Sequence, residues 1–183
     1  MIDKQRLLAH AAQVEEWARA RNLIDGSDPK SQTLKTVSEF GELAVAVFDG
    51  DDAETVDGIG DVLVTQIIVC AQLGVSFESA IVAAENMVTQ EPKRAEYILL
   101  CTGLLGKMAD NVLKGQKEGF HYNLVKFIHY MEMAFDNAFD IAGCLGMAYD
   151  EIKDRRGVMY NGAFIKSTDP AYATALAELG LEG

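Results

Sequence analysis

Residues 61–73, DVLVTQIIVCAQL, are apolar around nearly the whole circumference of a helix. A helix without a polar face belongs at the centre of a bundle rather than on its surface. This one segment therefore demands helical neighbours on several sides. Ala, Leu, Val, Met and Glu are common and only three prolines occur in 183 residues, a composition that favours helix throughout. The expected fold is all-α, a bundle of about five or six helices in a single domain.

The punctuation agrees with that expectation. Leu7, Leu8, Ala11, Val14, Trp17 and Ala18 recur at helical spacing and predict a first helix over residues 3–22. Asp28 before Pro29 is an N-cap and first-turn pair for a second helix. Gly50 can take the left-handed position that ends it. Asp51 or Asp52 caps a third helix ending near Gly74, and Ser76 caps a fourth that stops before Pro92. A fifth is expected over 93–114, with Gly115 as its stop. A long helical stretch follows over 122–155, with Gly143 and Gly146 marking a bend or a close packing point. The remainder, GVMYNGAFIKSTDP, reads as an ordered loop or tail.

Charge narrows the partners. A formal net charge of −12 argues against a nucleic-acid backbone, which needs clustered Lys and Arg. Cys70, Cys101 and Cys144 are far apart and odd in number, without metal-ligand spacing, and read as buried reduced thiols. The amphipathic N-terminus has no apolar core of the signal-peptide kind. Gln66 and Gln72 interrupt the longest apolar run, so no membrane-spanning segment is expected and the protein is read as soluble and cytoplasmic.

Four carboxylates disturb this apolar background. Glu39 and Glu42 lie three residues apart in one expected helix, and Asp57 and Asp61 four apart in the next. Each pair falls on one helical face. The short connection after Gly50 makes the two helices antiparallel neighbours, which can bring the pairs face to face. An ionised Asp in the most apolar helix is costly unless something positive meets it. Oxygen ligands without His or Cys point to Mg²⁺, with Mn²⁺ as a substitute, rather than zinc. The bland reading is a solvated acidic face.

A weak internal repeat is also visible. FGELAVAVFDG, with Gly41 and Gly50, matches LGKMADNVLKG, with Gly106 and Gly115, both glycine pairs being 65 positions apart. Residues 1–90 would then form a metal-binding half, 91–156 a degenerate second copy and 157–183 a tail. At this offset Glu39, Glu42 and Asp61 fall on Leu104, Lys107 and Lys126, so such a copy has lost its acids.

The run KTVSEFGELAVAVFDGDDAETVDGIGDVLV resembles the MazG-like nucleoside triphosphate pyrophosphohydrolases, all-α enzymes related to dimeric dUTPases and dCTP pyrophosphatases. Their E-x-x-E on one helix is matched by Glu39 and Glu42, and Asp61 matches the last acid of E-x-x-D on the next. Gly58 stands where the family has its other Glu. Asp57, one residue earlier, can replace it, directly or through water, with the spacing of phage and prophage members. Trp17, Gln32 and Lys35 resemble the segment before the metal helix in those members. AYDEIKDRRGVMYNGAFIK, with Arg155, Arg156, Tyr160, Asn161 and Lys166, is similar to their C-terminal segment.

The resemblance implies Mg²⁺-dependent hydrolysis of a nucleoside triphosphate, expected to be a dNTP, between the α- and β-phosphates. Glu39, Glu42, Asp57 and Asp61 would be the metal ligands. Glu39 would also accept the proton of the attacking water, and Lys35 would neutralise a phosphate oxygen. Arg155, Arg156 and Lys166 would hold phosphates, Trp17 or Tyr160 would stack on the base, and Asn161 would hydrogen-bond base or sugar. Assembly as a homodimer or homotetramer is expected, since family sites are built between subunits. Each residue also has an ordinary reading: Trp17 as core, Lys35 as a solvated flank, Arg155 and Arg156 as answers to a helix dipole. A non-catalytic nucleotide-binding or regulatory protein and a purely structural helical module are the competing functions.

Overall fold

A computed structural model describes residues 3–87, 94–135 and 138–181. Its long helices are α1 (Lys4–Ala20), α2 (Pro29–Asp49), α3 (Asp52–Leu73), α5 (Arg94–Lys114) and α6 (Lys117–Phe135). Shorter ones are α4 (Phe77–Ala84), α7 (Ile141–Ile152) and α8 (Tyr172–Leu179), and the sheet is the single hairpin β1 (Gly157–Tyr160) and β2 (Ala163–Lys166). The fold is all-α apart from this hairpin. Eight helices are described rather than five or six.

The caps explain the boundaries. Asp28 accepts the amides of Lys30 and Ser31, and Asp51 those of Ala53 and Glu54. Gly50 and Gly74 close α2 and α3 at φ 73° and 65°, in the left-handed region where a side chain is penalised. Two expectations fail. The stretch over 122–155 is not one helix, because α6 is described to Phe135 and Asp140 accepts the amide of Gly143 to start α7 afresh at Ile141. The break therefore precedes Gly143, and Gly146 is a close packing point, where a Cβ would stand 2.8 Å from His10 Nε2. The expected tail is a hairpin whose two-residue turn, Asn161–Gly162, has φ 48° and 78°. Asn-Gly with both residues at positive φ is the preferred link between two twisted antiparallel strands. Pro92, Lys93 and Asp136 lie outside the described residues.

α3 is the central helix, with α2 against one side and α1 and α7 against the other. It is long and apolar enough to span a membrane by length and composition, contrary to the expectation from Gln66 and Gln72, but 67% of its apolar window is buried in the bundle. Gln66 is itself 2% exposed. The second hairpin, α5–α6, packs beside the first through α2 and α5. Its helix α5 has the 21 residues of α2, begins and ends 65 positions later, and is followed by a left-handed glycine, Gly115. The short helices cross over, α4 packing on α6 and α7 on α3. Cys70, Cys101 and Cys144 are free and buried.

Candidate functional site

Two helix faces and the C-terminal hairpin converge on one cavity of about 290 Å³. Its polar end carries Gln32, Lys35 and Glu39 from α2, Asp61 from α3 and Arg155 from the segment after α7. Its apolar end is made by Trp17, Val64, Ile68, Ile152, Met159 and Phe164. Leu23 and Thr65 complete the wall. Two larger concavities, of about 450 and 470 Å³, exist elsewhere; the first sets a single cation, Arg19, with Glu15 and Glu78 beside apolar walls, the second has no cation, and neither holds two cations beside its acids. Ligand sites are mostly apolar walls with a few convergent polar groups, so chemistry rather than volume selects the smaller one.

The hairpin is fastened where it can form a wall. The Met159 amide donates to the Arg21 carbonyl at 2.8 Å, and Asn22 Nδ2 donates to the Met159 carbonyl at 2.9 Å. The Arg21 guanidinium reaches the carbonyls of Arg155 and Lys153 at 2.7 and 2.9 Å. These bonds bind the end of α1 to the hairpin's entry and leave Met159 and Phe164 facing the core. The same guanidinium lies 4.8 Å over the Trp17 ring, whose buried Nε1 has no hydrogen-bond partner. Trp17 is thus half-buried core and cavity wall together.

The carboxylates are unequal. Glu39 is 9% exposed and ion-paired with Lys35 one turn earlier. Asp61 sits lower in the apolar helix, and its carboxyl is pushed from an ordinary 3.8 to about 6. Burial is the main cause, followed by the charges of Asp57, Glu39 and Glu151, with Lys35 acting in the opposite sense. Asp57 is exposed and stands off the cavity wall, although its charge reaches Asp61. Glu42 is exposed and lines a separate groove with Asp49, Asp51 and Glu54. Among the described residues no three His, Cys, Asp or Glu side chains converge closely enough to hold one metal ion. The donor chemistry nevertheless suits a hard divalent cation, because Asp61 carries surplus neighbouring negative charge that one would neutralise.

The position of Gly58 has a packing cause. A Cβ there would stand 2.9 Å from Leu43 Cβ on α2. The first hairpin closes tightly at this point, so position 58 faces the partner helix and has no room for a carboxylate ligand. Gly60 is similar on the other side, 2.6 Å from the Cys144 carbonyl of α7.

Four expected ligand contacts fall outside the cavity. Tyr160 donates its hydroxyl to Glu178 of α8. Asn161 is the exposed tip of the hairpin turn, and Lys166 is exposed at the far end of β2. Arg156 is exposed and pairs through its backbone with Ser167. Arg155 and Arg156 follow the end of α7, rather than belonging to its last turn. Glu151 was not among the expected residues. An exposed acid near a helix end carries no sequence signal, and only α7 packing on α3 brings its charge to Asp61. Thr65 and Ile68 were legible in principle, since they follow Asp61 at i+4 and i+7 on the same helical face.

Compared with known proteins, a 72-residue stretch is 38% identical to an uncharacterized 18.2 kDa protein from the rep-hol intergenic region of Haemophilus phage HP1. The match covers 39% of this chain and 42% of that protein. No protein-family model and no solved structure matches the chain.

Proposed function

We propose that the protein is a Mg²⁺-dependent nucleoside triphosphate pyrophosphohydrolase that releases a nucleoside monophosphate and pyrophosphate, acting in the cytoplasm on a dNTP. The observation that carries this reading is the cavity whose lining joins Trp17, Phe164 and aliphatic side chains to Lys35, Glu39, Asp61 and Arg155. At about 290 Å³ it lies near the lower limit of ligand pockets, about 300–1,000 Å³, and matches a nucleoside with its first phosphate. Pyrophosphate would extend past Lys35 and Arg155 into solvent.

In this reading Trp17, Ile68 and Phe164 hold the base and exclude water from it. Lys35 and Arg155 orient phosphate oxygens by charge-assisted hydrogen bonds. Glu39 and Asp61 would hold the metal, with Asp57 near enough for its charge to reach Asp61, whereas Glu42 lies in a separate groove. Bound Mg²⁺ supplies neutralisation of phosphate charge and a more acidic water. Glu39, kept on the wall by Lys35, accepts a proton from the water attacking the α-phosphorus. The bond from the α-phosphorus to the bridging oxygen breaks, and the electron pair leaves with pyrophosphate.

Purified protein with Mg²⁺ and a panel of triphosphates should release pyrophosphate and no orthophosphate. Orthophosphate release, or no turnover of any triphosphate, would sink the reading. Among the described residues no three carboxylates converge, which favours a second reading, a nucleotide-binding protein without catalysis. Calorimetry that detects metal-dependent triphosphate binding in a sample forming no product would select it.

A further inference from the structure

Arg21 lies behind the cavity wall rather than on it, and three of the lining residues, Trp17, Arg155 and Met159, are joined to it. Its guanidinium stands 4.8 Å over the Trp17 ring, and Nη1 donates to the Trp17 carbonyl at 3.3 Å. That carbonyl belongs to the last turn of α1, where the Arg21 amide bypasses it for Ala18. Nε and Nη2 donate to the carbonyls of Arg155 and Lys153, just past the last residue of α7. The Arg21 carbonyl accepts the Met159 amide. One residue thus ties the aromatic wall at Trp17 to the segment that carries Arg155, 134 positions away in the chain.

Filling space would not call for an arginine here. Arg21 is half-buried, and among the described residues no carboxylate pairs with it, although acids outnumber Lys and Arg by 28 to 16 in the chain. Burial pulls the guanidinium below its ordinary pKa, and Tyr149, Tyr172 and Asp154 oppose this only in part. A half-buried cation answered by carbonyls alone is a costly filler. What it supplies is geometry. The guanidinium is planar, so donors in its plane and a ring on its face are fixed at once, which neither an ammonium nor an apolar side chain achieves.

We propose that Arg21 is the positioning residue of this cavity, holding the Trp17 ring against the segment that brings Arg155 to the other end. That the cavity's ligand is a nucleotide rests on the function proposed above, whereas the placement of Trp17 does not. Trp17 is the only tryptophan in the sequence, so fluorescence reports this one place. Without ligand, Arg21→Met should raise the acrylamide quenching constant of Trp17 by at least about twofold, with helical content unchanged by circular dichroism. With Mg²⁺ and α,β-imido analogues of dATP, dCTP, dGTP and dTTP, whose α–β bridge resists hydrolysis, it should weaken calorimetric binding about tenfold through lost preorganisation. Arg21→Lys keeps the charge without the fork and flat face, so it should lie closer to Arg21→Met than to the wild type. It also takes the place of Arg21→Met if that variant does not fold. Arg94 is the control, since it joins the Ala134 carbonyl at 3.0 Å to the Phe139 ring at 5.7 Å without touching the cavity lining. Arg94→Met should change neither Trp17 quenching nor analogue binding. Trp17 quenching unchanged in both Arg21 variants, or shifted equally by Arg94→Met, overturns the proposal. So does full-strength binding in both Arg21 variants of an analogue that the wild type binds. If the wild type binds none of the analogues, the nucleotide reading fails, and the quenching comparison alone decides on Arg21.

Discussion

The hairpins α2–α3 and α5–α6 present one frame with two different contents. The length of the first helix, the start of the second, the left-handed glycine between them and the alternation of buried positions recur at one offset: Thr36, Leu43, Ile59 and Val62 are buried, and so are Cys101, Met108, Leu124 and Phe127. What differs is polar. Glu39 faces the cavity from α2, and its counterpart Leu104 is core. Asp61 stands on the cavity wall, and its counterpart Lys126 lies with its ammonium 4.2 Å over the Tyr122 ring. Packing can thus be matched by shape alone, while a polar site needs particular groups and is present in one hairpin only. The C-terminal hairpin deepens the asymmetry, because β1 and β2 wall the cavity beside α3.

The largest expected effect separates the halves by chemistry. Asp61→Asn should lower kcat/KM for pyrophosphate release by at least about a thousandfold, which is about 4 kcal/mol of transition-state stabilisation. Lys126→Met, at the corresponding position of the second hairpin, should leave it within about twofold. Comparable losses from both would show that the second hairpin takes part in the chemistry and would break the contrast.

The next effect tests what the hairpins share. Leu43→Ala and Met108→Ala occupy corresponding positions that are 0% and 1% exposed. Each should cost about 2–5 kcal/mol in urea unfolding, from lost transfer energy and the cavity left behind. A large cost at Leu43 with almost none at Met108 would mean that the second hairpin is packed more loosely than its burial implies.

How much of this was legible follows from the range of each interaction. Asp28–Pro29, Gly50, Asp51, Gly74 and Ser76 act on backbone within three or four residues, so sequence alone places α2, α3 and the start of α4. The break between α6 and α7 was hidden because apolar spacing runs through Phe135, Phe139 and Ile141. Asp140 breaks that run by capping α7 and pairing with Arg6. Asn161–Gly162 is a strong hairpin signal, but with only four residues in each strand it was read as ligand chemistry. At the site, Glu39 and Asp61 stood out as acids in apolar helices. Met159, Phe164 and Glu151 reach the same place through tertiary packing, which leaves no local mark.

A smaller effect concerns Gly58. Gly58→Ala should cost about 1–3 kcal/mol by overpacking α3 against Leu43, whereas Gly41→Ala, facing open space, should cost the monomer nothing. Gly58→Glu, which restores the family's acid in sequence, should destabilise further and reduce pyrophosphate release. Higher activity in Gly58→Glu, measured with Mg²⁺ at saturating triphosphate, would show that the hairpin can open to admit a ligand there.

The smallest effect uses the burial of Asp61 and has no equivalent at Lys126. The carboxyl titrates near 6 in the fold and near 3.8 as an ordinary side chain, so between these values the folded state binds the proton more strongly. Its favourable contribution is complete below about pH 3.8 and is lost as pH rises through about 6. Asn does not titrate, and its amide avoids the cost of a half-buried charge. In EDTA, Asp61→Asn should therefore gain stability over the wild type as pH rises from 4 to 8. The gain should reach about 1 kcal/mol once solvent screening is allowed for. With Mg²⁺ at pH 8 the order should reverse, since a cation bound by the carboxylate stabilises only the wild type. Magnesium binding to the wild type should in turn weaken as pH falls through about 6, where the ligand takes up its proton. Thermal melts of both proteins at each pH, with and without Mg²⁺, measure all of this. A gain unaffected by Mg²⁺ would leave Asp61 a buried acid with no cation to answer it.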